Sequence, residues 1–223
     1  MGWFVKFIDS SVGKKIIMAL TGLFLYFYLI VHLVANLFLL KGDGGVAFND
    51  YAEFMSSSNN IPVRIIEIGL FVFFAYHIID GVRLWYQNYN ARNIKYKVVH
   101  ASENSTFFSR FMIYSGGIVF IFLVLHLADF FIPHRFGSPP ETMYQSVLMK
   151  FNYPVYCWFY IICMVLLAFH LVHGFQSAFQ SLGVRNTKYT SFIKAFGVSF
   201  SILLCIGFAI IPLYFLITNM GGN

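Results

Sequence analysis

The chain has 223 residues, of which 59% are hydrophobic, 20% aromatic and only 11% charged, and its formal net charge is +6. Soluble domains carry about 25% charged residues, so this composition excludes both a water-soluble enzyme and a disordered chain. The 17 Gly and 6 Pro follow no G-X-Y period, which excludes collagen, and the basic residues sit between apolar runs rather than on one face, which argues against nucleic acid as a partner.

A polytopic membrane protein remains. Crossing a bilayer takes about 20 apolar residues in a helix, and five runs reach that length, predicted at 16–40, 65–86, 107–132, 153–179 and 192–217. The first is too long for the h-region of a signal peptide and reads as a retained helix. The runs lack the ten-residue alternation of barrel strands, so the fold class is an all-α integral membrane protein of five transmembrane helices in a single domain, 1–223.

Between the first two spans, Gly42, Gly44, Gly45 and the run Ser56–Asn60 read as a loop, and Pro62 suits the start of the second helix. Pro133, Pro139 and Pro140 mark a second loop on the same side. The flanking charges give the orientation. Lys6, Lys14, Lys15, Arg83, Arg92, Lys95, Lys97, Arg110, Arg185, Lys188 and Lys194 fall on one side, eleven in all, against Lys41, Arg64, Arg135 and Lys150 on the other. The basic side is expected inside, with the N-terminus inside and the C-terminus outside. Cys157, Cys163 and Cys205 lie inside apolar runs and form no C-x-x-C or C-x-x-C-H pattern, so zinc, disulfides and covalent haem attachment have no support.

Five of the seven histidines, His32, His77, His126, His170 and His173, fall within spans. Ionisable residues are costly in a bilayer and mark functional sites there. One histidine stands on each of four successive spans, with 45 residues from His32 to His77 and 44 from His126 to His170. The words His77-Ile-Ile-Asp80-Gly81 and His170-Leu-Val-His173-Gly174 also repeat, as if a two-helix unit were used twice. At about 1.5 Å per residue, His32 and His126 fall in the outer half, and His77 and His170 in the inner half. Two histidines at each of two levels suit two haems better than a zinc site, which would need further ligands. Asp80 and Asp129, also within spans, keep a proton relay open as the rival.

Several words carry a resemblance: Ile30-Val31-His32-Leu33-Val34-Ala35-Asn36, Ala47-Phe48-Asn49, Glu53-Phe54-Met55, Tyr76-His77-Ile78-Ile79-Asp80-Gly81 and Phe169-His170-Leu171-Val172-His173-Gly174. The chain resembles the cytochrome b membrane-anchor subunit of succinate:quinone oxidoreductases, and more narrowly the single-subunit, five-helix, di-haem type of many bacteria. The resemblance implies a multi-pass protein of the bacterial inner membrane whose first four spans bundle around two haems b. His32 and His126 would ligate the outer iron, and His77 and His170 the inner. His173 departs from some relatives and is not assigned as a ligand; about 60° round the helix from His170, it is near enough to hydrogen-bond a propionate. The implied partners are a flavoprotein with FAD and an iron–sulfur subunit on the inner side; the basic inner loops, including Arg92, Lys95 and Lys97, are expected to border the docking surface. The implied substrate is a membrane quinone, commonly menaquinone, and two such complexes could pair. Chemistry at a quinone near the outer haem needs a carboxylate within reach of solvent. Glu53 is the candidate, flanked by Tyr51, Phe54 and Met55, with Glu67 second. The alternatives are the di-haem anchor of a hydrogenase or formate dehydrogenase, a stand-alone electron shuttle, and a non-redox proton-coupled protein.

Overall fold

The computed structural model describes residues 2–90, 107–137, 139–184 and 188–220. Its first element is a short helix, α1 (Trp3–Asp9). Ser10 ends it and starts the next, its Oγ accepting from Gly13 N at 2.9 Å. The first span is therefore longer than expected, with α2 over Ser11–Asn36 and a tighter 3₁₀ turn over Leu37–Leu40. The side-chain cap, rather than the hydropathy, sets the start.

The two loops expected on the far side each contain a helix. α3 (Val46–Ser56) begins at Gly45, whose φ of +87° favours glycine and where an added Cβ would strike the Tyr144 ring. Asp43 accepts from Gly45 N at 3.0 Å and Ala47 N at 3.1 Å. The Ala47 and Gly45 N–H groups and the Lys41 ammonium hold the Asp43 carboxyl below its usual range. After α4 (Ile61–Asn90), with Pro62 in its first turn, and α5 (Phe107–His126) comes a π-helical turn, Leu127–Phe131. It runs into α6 (Ile132–Phe136). α7 (Met143–Phe151) opens on a full capping box between Thr142 and Gln145 and buries Val147 and Phe151. Asn49 of α3 accepts from Tyr144 N at 3.0 Å, which ties the two cap helices together. α8 (Pro154–Ser181) and α9 (Thr190–Met220) complete the chain.

Five helical segments are long and apolar enough to cross a membrane: Ser11–Leu40, Ile61–Asn90, Arg110–Phe136, Pro154–Ser181 and Thr190–Asn219. The protein is an all-α, multi-pass membrane protein. α2 and α8 form its spine. α4 packs on α2, α5 packs on α8, and α9 lies behind against both. A buried hydrogen bond of 2.9 Å joins Tyr26 of α2 to Ser201 of α9, and Gly207 admits Leu33 against the α9 backbone. α4 and α5 stand on opposite flanks. α4 meets the chain that follows α5 near one end, where Phe71 contacts Phe131 of the π-helical turn and Glu67 bonds Arg135 of α6 at 3.2 Å. That end, with α3, α6 and α7, is the capped end. The basic residues Arg92, Lys95, Lys97 and Arg185, assigned to loops at the opposite end, lie outside the described residues.

Candidate functional site: two histidine pairs

The helices bring four histidines together in two pairs across the space between the spine and its flanks. His32 of α2 faces His126 of α5, with ring centroids 5.8 Å apart and planes at 88°. His77 of α4 faces His170 of α8 at 6.4 Å and 74°. Two imidazoles bound through Nε2 on opposite sides of one metal would put their centroids about 6.2 Å apart, from metal–nitrogen bonds of about 2 Å and about 1.1 Å from each nitrogen to its ring centre. The two spacings lie within about 0.4 Å of that value. Among the described residues, no cluster of three or more His, Cys, Asp or Glu side chains forms elsewhere. Each pair therefore offers two ligands and no third. That donor set suits an iron whose other four ligands come from a flat macrocycle.

The hydrogen bonds at these rings all use Nδ1. Thr21 Oγ1 lies 3.3 Å from His77 Nδ1 and also 2.9 Å from Ile17 O. Its proton goes to that helix carbonyl, so it accepts from Nδ1–H of His77. At His126 the direction follows from a chain. Tyr156 donates to Asp129, so Tyr156 accepts from Tyr160 at 3.2 Å, and Tyr160 accepts from His126 Nδ1–H at 3.2 Å. Tyr28 OH lies 3.5 Å from His32 Nδ1. An imidazole that donates through Nδ1 presents the Nε2 lone pair to its partner, which is the tautomer a metal ligand needs. The fourth ring differs, because His170 Nδ1 is buried with no hydrogen-bonding partner.

Two glycines explain how the helices approach. A Cβ added to Gly22 would stand 3.2 Å from Cε1 of His77, and one added to Gly116 would stand 3.4 Å from Cε1 of His170. Gly22 lies ten residues before His32, and Gly116 lies ten residues before His126. Each glycine follows a buried hydroxyl residue, Thr21 at 2% exposure and Ser115 at 1%. The two-helix repeat suspected from the histidine words thus extends to hydroxyl–glycine–nine residues–histidine. Because Gly22 marks the level of His77 on α2, ten residues of helix put the two pairs about 15 Å apart along the axis. Sequence reading missed Thr21, Gly22, Ser115 and Gly116. The signal was the repeated ten-residue interval, which stands out only once the histidines are aligned.

The other expected residues are placed less closely. His173 is half-buried one turn beyond His170 and has no hydrogen-bonding partner among the described residues. Glu53 is exposed on α3 and is not brought against either pair. Glu67 forms ion pairs with Arg64 and Arg135, so its charge is matched. Asp80 is buried at 3% exposure with one oxygen unpartnered. Asp129 accepts from both Tyr156 and Lys150.

A family model described as succinate dehydrogenase/fumarate reductase transmembrane subunit matches residues 15–104 and 86–206. No curated protein and no solved structure matches the chain.

Proposed function

Because the chain belongs to the succinate dehydrogenase/fumarate reductase transmembrane subunit family, we propose that it is a di-haem anchor exchanging electrons between the catalytic subunits of such a complex and a membrane quinone. The observation that carries this reading is the pair of histidine couples, 5.8 and 6.4 Å between centroids, on two levels. His32 and His126 would hold one haem b, and His77 and His170 the other. Bound haem supplies one-electron chemistry within the bilayer.

The chain's own residues prepare those sites. Thr21 and Tyr160 fix the tautomers of His77 and His126. Gly22 and Gly116 let the rings approach neighbouring helices. Phe122, stacked 5.7 Å from His126, and Phe208, 5.8 Å from His32, keep water from that level. His173 is near enough to His170 in sequence to meet a propionate.

Among the described residues no cluster suited to an iron–sulfur centre forms, and the three described cysteines are apart and buried. Succinate or fumarate chemistry, FAD and iron–sulfur clusters are therefore assigned to a flavoprotein and an iron–sulfur subunit. The excess of basic residues at the end opposite the cap orients that end inward and makes it the docking face. Quinone exchange is placed at the capped end, beside the His32–His126 level, where Glu53 on the open face of α3 would pass protons to water. Two experiments test the reading. A reduced-minus-oxidised absorption spectrum of the purified chain should show two haems b per polypeptide, and affinity purification from native membranes should bring down a flavoprotein and an iron–sulfur protein. A chain that purifies without haem, or with hydrogenase or formate dehydrogenase subunits, would overturn it.

A further inference from the structure

The His126 hydrogen-bond chain does not stop in the protein interior. Running from Nδ1 of His126 through Tyr160 and Tyr156, it ends on Asp129, and Asp129 opens into a cleft of about 530 Å³. Leu125, Val155 and Phe159 wall the cleft. Lys150 from α7 also lines it, bonded to Asp129 and lying 5.7 Å over the Tyr156 ring. The π-helical turn contains Asp129. An extra residue per turn of this kind re-aims side chains, and such turns gather at functional sites.

We propose that this cleft binds the ring of the quinone, with Asp129 as the carboxylate that exchanges protons with it and Lys150 as the donor to one ring oxygen. The proposal rests on the electron-exchange reading above and gives that exchange a place. The cleft has the volume of a small-ligand pocket. Its apolar walls suit a flat ring with a hydrocarbon tail, and its few polar groups converge on one edge, where a carbonyl oxygen would lie. A lipid chain would leave the carboxylate and ammonium without a purpose, and an inorganic ion would gain nothing from the walls. A second cleft of about 500 Å³, beside Glu67, Phe71 and Phe131, is the competing place. Its one carboxylate faces two arginines, against the single lysine on Asp129, and no tyrosine chain joins it to a histidine.

The chemistry balances. Succinate and quinone give fumarate and quinol, so the ring takes two electrons from the catalytic partner and two protons on its oxygens. Asp129 relays a proton from water at the mouth of the cleft to a reduced ring oxygen, and the Lys150 ammonium and the Tyr156 hydroxyl stabilise the carboxylate it leaves. Water at the mouth of the cleft reprotonates it for the second transfer. Fumarate reduction runs the same steps backwards.

The test uses the whole complex in its membrane. Asp129→Asn should keep both haems and succinate oxidation by artificial dyes, while quinone-coupled kcat falls about 100-fold or more, the usual scale for a lost acid–base group. The midpoint potential of one haem should rise, because the negative end of the His126 chain is gone, and the other should not move. Lys150→Met should act mainly on the KM for quinone. In the unaltered complex, a photoreactive azidoquinone should label Leu125, Tyr153, Val155 or Phe159, so the proposal stays testable if a variant does not assemble. Quinone-coupled turnover of Asp129→Asn within twofold of the parent, or labelling confined to Ile68, Phe71, Val72 or Phe136, would overturn the cleft assignment alone. An unaltered complex with no quinone-coupled turnover would instead overturn the reading beneath it.

Discussion

Nδ1 of His77 lies 3.3 Å from Oγ1 of Thr21, whereas Nδ1 of His170 is buried without a partner. Ser115 stands on α5 where Thr21 stands on α2, directly before the glycine that touches the ring. Its hydroxyl is turned to Met112 O at 3.0 Å and has lone pairs to spare. Turned toward α8, that hydroxyl would give His170 the acceptor that His77 already has. Accepting from Nδ1–H makes the imidazole a more basic ligand, which favours the oxidised metal. Thr21→Val and Ser115→Ala should therefore each raise the potential of the same haem. A hydrogen bond of about 1 kcal/mol corresponds to about 40 mV for one electron. Redox titration of the variants checks it, and shifts in both haems, or in neither, would separate these hydroxyls from the ligands.

The glycines make a sharper test. Gly22 belongs to the first half of the repeat and Gly116 to the second, yet both press on the His77–His170 pair. Valine at either position would push a ring aside in a packed interface, at a cost of about 1–3 kcal/mol. Gly22→Val and Gly116→Val should lose the same haem and keep the other. Gly117→Val, where an added Cβ meets nothing within 4 Å, should keep both. Haem extraction with optical difference spectra gives the count.

The four histidines, their pairing and the helix count were legible because each rests on a strong regularity: hydropathy over 20 residues, a rise of 1.5 Å, and the rarity of imidazole in a bilayer. The cap helices were hidden by their composition. Gly44, Gly45 and Ser56–Asn60 look like loop, yet Val46–Ser56 is helical because Asp43 caps it and Phe48 is buried. The Thr142–Gln145 capping box was readable, and the neighbouring prolines drew attention from it. The chain from His126 to Asp129 could not be read at all, since it joins three elements 34 residues apart through side-chain hydroxyls.

The ligand assignment is checked one ring at a time. His32→Ala or His126→Ala should disturb one haem, and His77→Ala or His170→Ala the other. His173→Ala should retain both. The pairs are crossed at 88° and 74°. Near-perpendicular axial rings leave two iron d orbitals close in energy, so each oxidised haem should give a highly anisotropic low-spin EPR signal. Loss of a haem in His173→Ala, with His170→Ala intact, would reassign the ligand on α8.

Orientation is a separate question with its own measurement. Lys14, Lys15, Arg83, Arg110, Lys188 and Lys194 gather at the end opposite the cap, whereas Lys41, Arg64, Arg135 and Lys150 share the capped end. The positive-inside rule predicts that the first group faces the cytoplasm. Reporter fusions after Gly42 and Pro140 should be active outside, and a fusion after Gly183 inside. The reverse pattern would put the His77–His170 pair on the outer level and move the docking face to α3 and α7.

Glu53 and Glu67 are both carboxylates at the capped end, and the structure gives them different work. Glu67 lies between Arg64 and Arg135, with side-chain exposures of 18%, 14% and 24%. Removing its charge leaves two half-buried cations unmatched. Breaking a buried pair costs about 3–5 kcal/mol, and partial exposure reduces this to about 1–3. Glu67→Gln should lower the temperature at which the detergent-solubilised protein loses haem, because the ion pair to Arg135 ties α4 to α6. Glu53 has no side-chain partner among the described residues, so Glu53→Gln should leave that temperature unchanged. Its effect should fall on proton exchange with water. Quinone-coupled turnover should drop several-fold, less than for Asp129→Asn, and should drop further as pH rises and protons become scarce. Dye-coupled succinate oxidation should persist in both variants. Quinone-coupled turnover of Glu53→Gln equal to the parent at every pH would remove Glu53 from the path and leave Asp129 to exchange directly with solvent at the mouth of its cleft.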